Sequence, residues 1–494
     1  MIGFLLNDKL VETDLPPGMP LLDFLRFEKG LKGTKTGCRE GDCGACTVLC
    51  GEPGGDAQSC ISSYRDSKDA RSCASTLRYK TIVSCLTPLG NVRNCHIVTI
   101  EGLNSDQLSP VQQAFVDHSA TQCGFCTPGF ILSVTGFLLS GDFSDPENLI
   151  TALDGNICRC TGYASIRRAA LQLFQQIPPE GRNNITWLVA QHYLPDYFLS
   201  IPSRLSESTQ PWQSFKSAKI LVAGGTDLMV QKAEMLFETD LECTHDIPGN
   251  DEITFSGNQC FIGGAVTMSK LMNHPGLKRD FPGLSKVFPL IASTPVRNMA
   301  TVAGNLVNAS PIGDLSILFL ALDATVLLDG HRGTRRTLLL REFFTGYKTL
   351  AMKEGERING IIFQLPWKYD HFHFEKVSKR SHLDIASVNT AILLTVSNGK
   401  IEKAGLSAGG VAPVPLFLAQ TSGFLTGKEL TEETIVSALP VIRGEIQPIS
   451  DIRGSKQYKS LLLRQLFLAH FVELFPGLLN DPFLMPNLHR NEEY

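Results

Sequence analysis

"GCREGDCGACTV", residues 37–48, sets three thiols within nine residues and separates them with glycines. The spacing is Cys38-x4-Cys43-x2-Cys46. Glycine tolerates left-handed angles and close backbone approach, so Gly37, Gly41 and Gly44 let this loop fold its thiols toward one point. The chain has 14 cysteines; all but Cys243 and Cys260 precede residue 161. A disulfide framework suits a small exported domain. The opening "MIGFLLNDKL" lacks the basic and long apolar regions of a secretory signal. Thiols crowded into one part of a long, unexported chain point to metal or redox use.

C-x4-C-x2-C followed by a distant cysteine is the plant-type ferredoxin spacing for a [2Fe-2S] cluster. Loop N–H groups then bond the cluster sulfurs and tune the potential. The alternatives are a zinc site or a set of buried free thiols, but zinc usually shows paired C-x2-C knuckles. Cys50, Cys60, Cys73, Cys85 and Cys95 compete for the fourth position. Cys85 is chosen because "VSCLTPLG", residues 83–90, brings an apolar segment into a proline turn that fixes a thiol. Residues 51–80, rich in Gly, Ser, Arg and Asp, read as a surface excursion with Cys60 and Cys73 as bystanders. "IGFLLNDKLVE" reads as a hairpin turning at Asn7-Asp8, "PLLDFLRFEKGL" as a helix and "HIVTIEGL" as a strand. Together they make a small β-grasp fold.

A second group follows. "TQCGFCTPGF", residues 121–130, carries Cys123-x2-Cys126, and "GNICRCTGYASI", residues 155–166, carries Cys158-x-Cys160. Pro128 opens a helix whose Phe130, Ile131, Val134, Phe137 and Leu138 form one stripe. Each cysteine pair is expected at a helix start, where N–H groups favour thiolate charge.

Taken together, "GCREGDCGACTV", "QCGFCTPG" and "NICRCTGY" resemble the iron–sulfur part of the xanthine dehydrogenase (molybdenum hydroxylase) family. The resemblance implies two [2Fe-2S] clusters. One is held by the positions matching Cys38, Cys43, Cys46 and Cys85, the other by those matching Cys123, Cys126, Cys158 and Cys160.

Beyond the Pro/Gly-rich "QIPPEGRNN" at 176–184 lies "AKILVAGGTDLMV", residues 218–230. A buried strand runs into Gly224-Gly225, whose consecutive N–H groups suit a pyrophosphate. It is not G-x-G-x-x-G. "TPVRNMATVAGNLVNASPIGDL", residues 294–315, strings small and amide residues that let a flat cofactor lie on backbone, and Asp314 there suits a ribose hydroxyl. Both stretches resemble the family's flavin domain, of vanillyl-alcohol-oxidase-like type. There the positions matching Leu221, Val222, Ala223, Gly224, Gly225, Thr226, Asp227 and Leu228 wrap the FAD pyrophosphate. Those matching Thr301, Val302, Ala303, Gly304, Asn305 and Asp314 complete the site. Lys376 matches a basic position near the FAD; on its own chemistry it is a surface lysine.

The expected architecture is α+β and multidomain. It comprises a β-grasp plant-type ferredoxin domain (1–103), an α-helical [2Fe-2S] domain (104–180), a linker (181–212), an FAD-binding domain (213–370) and an α+β C-terminal flavoprotein cap (371–480). The net charge of −4 argues against nucleic acid as a partner. No apolar run nears the roughly 18 residues of a membrane span; "LSILFLAL" stops at Asp323. A soluble cytoplasmic chain is expected. No Ser-His-Asp set, H-E-x-x-H or P-loop is present, so no catalytic residue is assigned. The resemblance implies a small subunit. It would pair, as an α2β2 heterotetramer, with a large molybdopterin-binding subunit that hydroxylates hypoxanthine and xanthine to urate. Electrons would then pass through both clusters to FAD and on to NAD+. Alternatives are the equivalent subunit of a hydroxylase acting on an aldehyde or another N-heterocycle, or a stand-alone iron–sulfur flavoprotein electron carrier.

Overall fold

The computed structural model describes residues 1–53, 77–208, 220–330, 333–380 and 383–479. Cys60 and Cys73 lie outside the described residues. The chain divides into two compact units: Met1–Pro248 with Ser293–Ala300, and Gly249–Ala292 with everything from Thr301 onward.

The first unit opens on the expected hairpin. Strands β1 (Ile2–Leu6) and β2 (Lys9–Thr13) pair antiparallel with Asn7 and Asp8 in the turn. Strands β3 (Thr47–Pro53), β4 (Leu77–Val83) and β5 (His96–Val98) complete a sheet of order β2-β1-β5-β3-β4. Only β1 and β5 run parallel within it. β5 is shorter than "HIVTIEGL" promised, because the chain turns into a 3-10 segment at Ile100–Leu103. The expected surface excursion is shorter too. Residues 51–53 and 77–80 belong to the β3–β4 ladder, where Gly51 pairs with Tyr79 and Glu52 with Arg78.

Every residue of β1 is buried, although alternation alone allows one buried face. Phe4 meets Phe24 in the segment Leu21–Glu28, whose last five residues form a π-turn. On the other face Leu5 packs on Ile201 and Leu205. Those two residues come from the segment expected as a linker, which instead forms helices at Ile185–Ala190 and Ile201–Ser208. Apolar Leu188, Val189, Leu194 and Phe198 bury there, and Arg204 binds Asp8 at 2.5 Å. Proline and glycine at 178–181 mark a turn; the apolar residues that follow decide the packing.

The helix Thr127–Ser140 is buried from Gly129 to Leu139 and not along one stripe. It fills the space between the β3–β4 face and the helices Pro110–Asp117, Pro146–Ala152 and Ala164–Gln176. A helix packed on every side needs no polar face.

His96 on β5 is fully buried. Its Nδ1 meets the Tyr79 hydroxyl at 2.6 Å and its Nε2 meets the Asn7 carbonyl at 3.0 Å. Burial lowers its pKa to about 4, against the support of the Asn7 carbonyl. The folded state therefore binds its proton less readily than the unfolded chain, with its value near 6.5. Stability is full above that value and falls as pH drops from about 6.5 toward 4, by roughly 3 kcal/mol in all. Urea denaturation at pH 7 and pH 5 should show the loss, and His96→Gln should flatten the slope. An unchanged slope in that variant refutes the assignment.

In the second unit, one five-stranded sheet has the order Arg335–Leu339, Thr325–Asp329, Arg357–Gln364, Gln259–Gly263, Ile253–Ser256. A four-stranded antiparallel sheet is built on Asp370–Val377, Val388–Ser397 and Lys400–Gly409. Asn398 and Gly399, both at positive φ, make a tight turn between the last two. Helices form at Glu432–Gly444 and Lys456–Leu474, and the second packs on this sheet. No described helix is long and apolar enough to cross a membrane.

Candidate cofactor sites

Two loops carry the first thiol group. Residues 37–46 lead into β3, and Ser84–Leu86 forms a 3-10 turn directly after β4. β3 and β4 pair with Thr47 opposite Val83, so Cys46 and Cys85 leave the same sheet end side by side. The Cys46 carbonyl accepts from the Ser84 N–H at 3.2 Å and the Ser84 hydroxyl at 2.7 Å, which fixes the turn. The buried Cys46 and Cys85 thiols neighbour one another, and so do the half-buried thiols of Cys38 and Cys43. The Cys38 N–H donates to Cys43 Sγ at 3.4 Å, and the Glu40 N–H donates to Cys38 Sγ at 3.3 Å. The Cys43 thiol and then the loop N–H groups hold the Cys38 thiol down at about 5, against burial. Cys46 is lowered by the Cys85 thiol, while Cys85 is raised by Cys46 and by burial. Loop donors that stabilise thiolate are what a four-thiolate cluster needs. Gly44 is left-handed as expected, at φ +63, and a Cβ there would sit 2.3 Å from the Gly155 carbonyl oxygen. Gly37 has no positive φ; it makes room, since its Cβ would meet Cys43 Sγ at 2.6 Å.

The second group forms from two other loops. Cys123 and Cys160 bring their sulfurs to 3.8 Å, and the Cys126 and Cys158 thiols neighbour one another. Cys126 caps the helix Thr127–Ser140, as expected of a helix start. Cys158 and Cys160 instead precede their helix, which begins at Ala164 behind a left-handed Tyr163. Burial pushes the Cys158 thiol up, but the Thr161 hydroxyl and N–H, at 3.1 and 3.4 Å, outweigh it and lower the value. Burial raises Cys126 to about 12, with the Cys158 thiol adding to it. Cys123 and Cys160 are exposed. Phe125, Ile157 and Tyr163 stand exposed around them.

The two groups are joined. The Ile157 N–H donates to the Cys43 carbonyl at 3.0 Å, and Asn156 Nδ2 donates to the Gly44 carbonyl at 3.2 Å. One hydrogen bond and one peptide thus separate Cys43 from Cys158.

Leu221 to Leu228 lies in this same unit. The strand Ile220–Val222 pairs parallel with Leu241–Cys243 and leads into Ala223, Gly224, Gly225, Thr226 and Asp227. Gly225 has φ +80, and its Cβ would lie 2.6 Å from Pro88 Cδ and 2.9 Å from the Leu86 carbonyl oxygen. The turn therefore rests on the residues that follow Cys85. Asn91 Nδ2 holds the Ala223 carbonyl at 2.7 Å. Among the described residues, the N–H groups of Gly224, Gly225 and Thr226 donate to no other protein group. A strand end with open N–H groups fits a pyrophosphate.

The second unit holds the remaining candidates. Thr301 caps the short helix Val302–Asn308, accepting from Gly304 N–H at 3.1 Å. The N–H groups of Val302 and Ala303 donate to Val266 and Gly264 carbonyls, so this stretch offers small side chains and not open donors. Asn305 Oδ1 accepts from the Ser316 N–H at 3.3 Å. Lys376 is no surface lysine: its side chain is 2% exposed. Its ammonium bonds Asp314 Oδ2 and the Leu290 carbonyl, each at 2.9 Å. A partner carboxylate is what allows a lysine to bury. Asn389 Nδ2 bonds Asp314 Oδ1 at 2.7 Å, while Asn389 Oδ1 is buried without a hydrogen-bond partner. The Asp314 carboxylate retains lone pairs for a hydroxyl. Sequence reasoning missed Asn389; an amide inside the apolar run "ASVNTAILL" was the available signal.

Four family models match the chain. They are described as a 2Fe-2S iron-sulfur cluster binding domain (4–88), a [2Fe-2S] binding domain (99–171), an FAD binding domain in molybdopterin dehydrogenase (195–367), and a CO dehydrogenase flavoprotein C-terminal domain (373–474). The first two spans enclose the two thiol groups. Xanthine dehydrogenase 1 of Arabidopsis thaliana is 28% identical over 562 aligned residues, covering 94% of this chain and 39% of that protein. Xanthine dehydrogenase/oxidase of Rattus norvegicus is 26% identical over 545, covering 97% and 39%. The chain thus spans about two fifths of these relatives. Among solved structures, reconstituted CO dehydrogenase from Oligotropha carboxidovorans is similar over 51% of this chain and 88% of its own, at 27% identity and TM-score 0.48. Quinoline 2-oxidoreductase from Pseudomonas putida 86 is similar over 51% and 88%, at 25% identity and TM-score 0.47.

Proposed function

We infer that this chain, a member of the molybdenum hydroxylase family with two [2Fe-2S] domains and an FAD-binding domain, is the electron-transfer subunit of a xanthine dehydrogenase. In this reading electrons from a molybdenum centre on a partner subunit pass through two [2Fe-2S] clusters to FAD and then to NAD+. Cys123, Cys126, Cys158 and Cys160 would hold one cluster, and Cys38, Cys43, Cys46 and Cys85 the other. The flavin candidates are Leu221–Leu228 in the first unit and, by themselves, Thr301–Asn305, Asp314 and Lys376 in the second. The assembly would be a cytoplasmic α2β2 heterotetramer.

The observation that carries the reading is the continuity of the three elements within the first unit. Cys158 follows Ile157, whose N–H bonds Cys43. Cys85 precedes Leu86, whose carbonyl lies against Gly225. In this reading the chain's own residues would set the spacing of three cofactor sites and their donors, which is the protein's share in redox chemistry. The exposed Cys123 and Cys160, rimmed by Phe125, Ile157 and Tyr163, suit entry of electrons from a partner polypeptide. The xanthine dehydrogenases among the relatives support a purine substrate. The C-terminal match to a CO dehydrogenase flavoprotein favours testing other hydroxylase substrates beside it.

Anaerobic purification with iron, sulfide and flavin counts tests the cofactor set. About four irons per chain and two distinct [2Fe-2S] resonances are expected. A colourless or zinc-only protein overturns it. NAD+ reduction by the native complex with hypoxanthine, set against aldehydes and N-heterocycles, decides the substrate class. A lone flavoprotein with no molybdenum-bearing partner would point to a free-standing carrier.

Lys376→Met removes the ammonium that faces Asp314. It should lower flavin content well below one per chain while iron stays at the parent level. Full flavin occupancy in this variant removes Lys376 from the site.

A further inference from the structure

β3 carries a thiol of its own, Cys50, four residues beyond Cys46. Antiparallel pairing sets Cys50 opposite Ile97 and Gly51 opposite His96 on β5. Continuing that register puts Glu52 opposite Cys95. Cys50, Glu52 and Cys95 therefore share one sheet face. On the other side, Lys80 of β4 stands opposite Cys50.

The donor atoms of Cys50, Glu52 and Cys95 all lie within 4.8 Å of one another. Cys50 Sγ is 4.0 Å from Glu52 Oε1, and that oxygen binds Lys80 Nζ at 2.6 Å. Cys50 and Cys95 are 2% and 6% exposed. Glu52 is 42% exposed at its side chain, so the cluster is buried on its sulfur side and open on its oxygen side. Neither thiol belongs to the groups described above, and both are free.

We propose that Cys50, Glu52 and Cys95 form a separate site for a thiophilic divalent cation, zinc, at the β3–β5 junction. Geometry favours a metal over a disulfide. Cys50 and Cys95 are diagonal neighbours, a relation that sets Cα atoms about 7–8 Å apart. That is beyond the usual reach of a disulfide. A tetrahedral zinc, with Zn–S near 2.3 Å and Zn–O near 2.0–2.2 Å, wants ligand atoms about 3.5–3.8 Å apart. Two sulfurs and one oxygen select zinc over magnesium or calcium.

The charges balance. Binding exchanges two thiol protons for one Zn2+, forming two Zn–S bonds and one Zn–O bond with no change of oxidation state. Two thiolates, the carboxylate, the Lys80 ammonium and the dication then sum to zero, as the two thiols with the Glu52–Lys80 pair do before binding. The fourth corner is left to water on the open side. The cation would tie the end of β3 to the entry of β5.

The full-length chain, carrying its iron and flavin, is treated with chelator and given one equivalent of zinc chloride. One tightly held zinc per chain is expected, with a K-edge first shell of two sulfurs near 2.3 Å and two lighter atoms near 2.0 Å. Cys95→Ser and Glu52→Gln should weaken binding roughly tenfold or more while iron and flavin counts hold. Glu52→Gln, on a half-exposed side chain, keeps the test sound if the cysteine variant fails to fold. A Cys60→Ser/Cys73→Ser chain should bind as the parent does. Zinc binding unchanged in Glu52→Gln, a first shell without sulfur, or zinc gained in step with iron lost overturns the proposal.

Discussion

Cys85→Ala is expected to isolate with about two irons per chain in place of about four, and with one [2Fe-2S] resonance in place of two. If the proposed function holds, electron transfer to NAD+ should fall below detection, because the thiols of the lost cluster lie between the other thiol group and the Gly224-Gly225 turn. The reason lies at one sheet end. Cys46 and Cys85 leave β3 and β4 together, their thiols neighbour one another, and Ser84 ties the turn to the Cys46 carbonyl. Each side chain in a four-thiolate set is irreplaceable, since alanine leaves an iron one ligand short. The control is as informative as the variant. Cys50→Ala and Cys95→Ala should keep all the iron, because those thiols meet each other and Glu52 on a different part of the sheet. A Cys85→Ala chain with full iron, or a Cys95→Ala chain with half, would move the fourth ligand elsewhere. Flavin content reads the damage separately: Gly225 rests on Leu86 and Pro88, so a small loss is expected there, and complete loss would mean that the domain has unfolded.

How much of this was legible in the sequence depended on how local each signal was. Spacing rules are local. C-x4-C-x2-C, C-x2-C and C-x-C marked seven thiols that the fold gathers into two groups, and the proline turn marked Cys85, which the fold sets beside Cys46. The hairpin at Asn7-Asp8 and the Asn398-Gly399 turn were equally local. What failed to show was long-range. Lys376 looks like any lysine until Asp314, 62 positions away, is folded beside it. The segment 181–212 reads as a connector because its turn residues are conspicuous, while the burial of Leu188 and Phe198 depends on helices laid down earlier. The helix Thr127–Ser140 shows a stripe on a wheel, but both its faces find partners. Cys50 and Cys95 were visible only as rejected cluster ligands. Their meeting with Glu52 needs the β3–β5 register, which no spacing rule supplies.

The same long-range logic governs the second large effect, at Asp154. This carboxylate is 4% exposed and the Arg297 guanidinium 3% exposed, with 2.8 Å between Oδ2 and the guanidinium. Asp154 Oδ1 also accepts from the Thr294 N–H at 2.7 Å, and the Thr294 hydroxyl donates to the Thr151 carbonyl at 3.1 Å. Asn298 Nδ2 reaches the Thr81 carbonyl at 2.8 Å. Residues 293–300 are thereby fastened to 151–155, just before the Asn156–Ile157 contacts that join the two thiol groups. Asp154→Ala takes the carboxylate from a buried guanidinium that keeps the Thr294 hydroxyl at 2.8 Å, and should cost about 3–5 kcal/mol. The double change Asp154→Leu/Arg297→Met, which removes both charges and keeps the volume, should recover most of that loss, since a buried ion pair offsets little more than its own desolvation. Urea titrations followed by iron absorbance compare the parent, the single variant and the double. A single variant as stable as the parent would mean that water reaches the pair. A double variant as weak as the single would place the stabilisation in the Thr294 and Asn298 bonds, with the ion pair secondary.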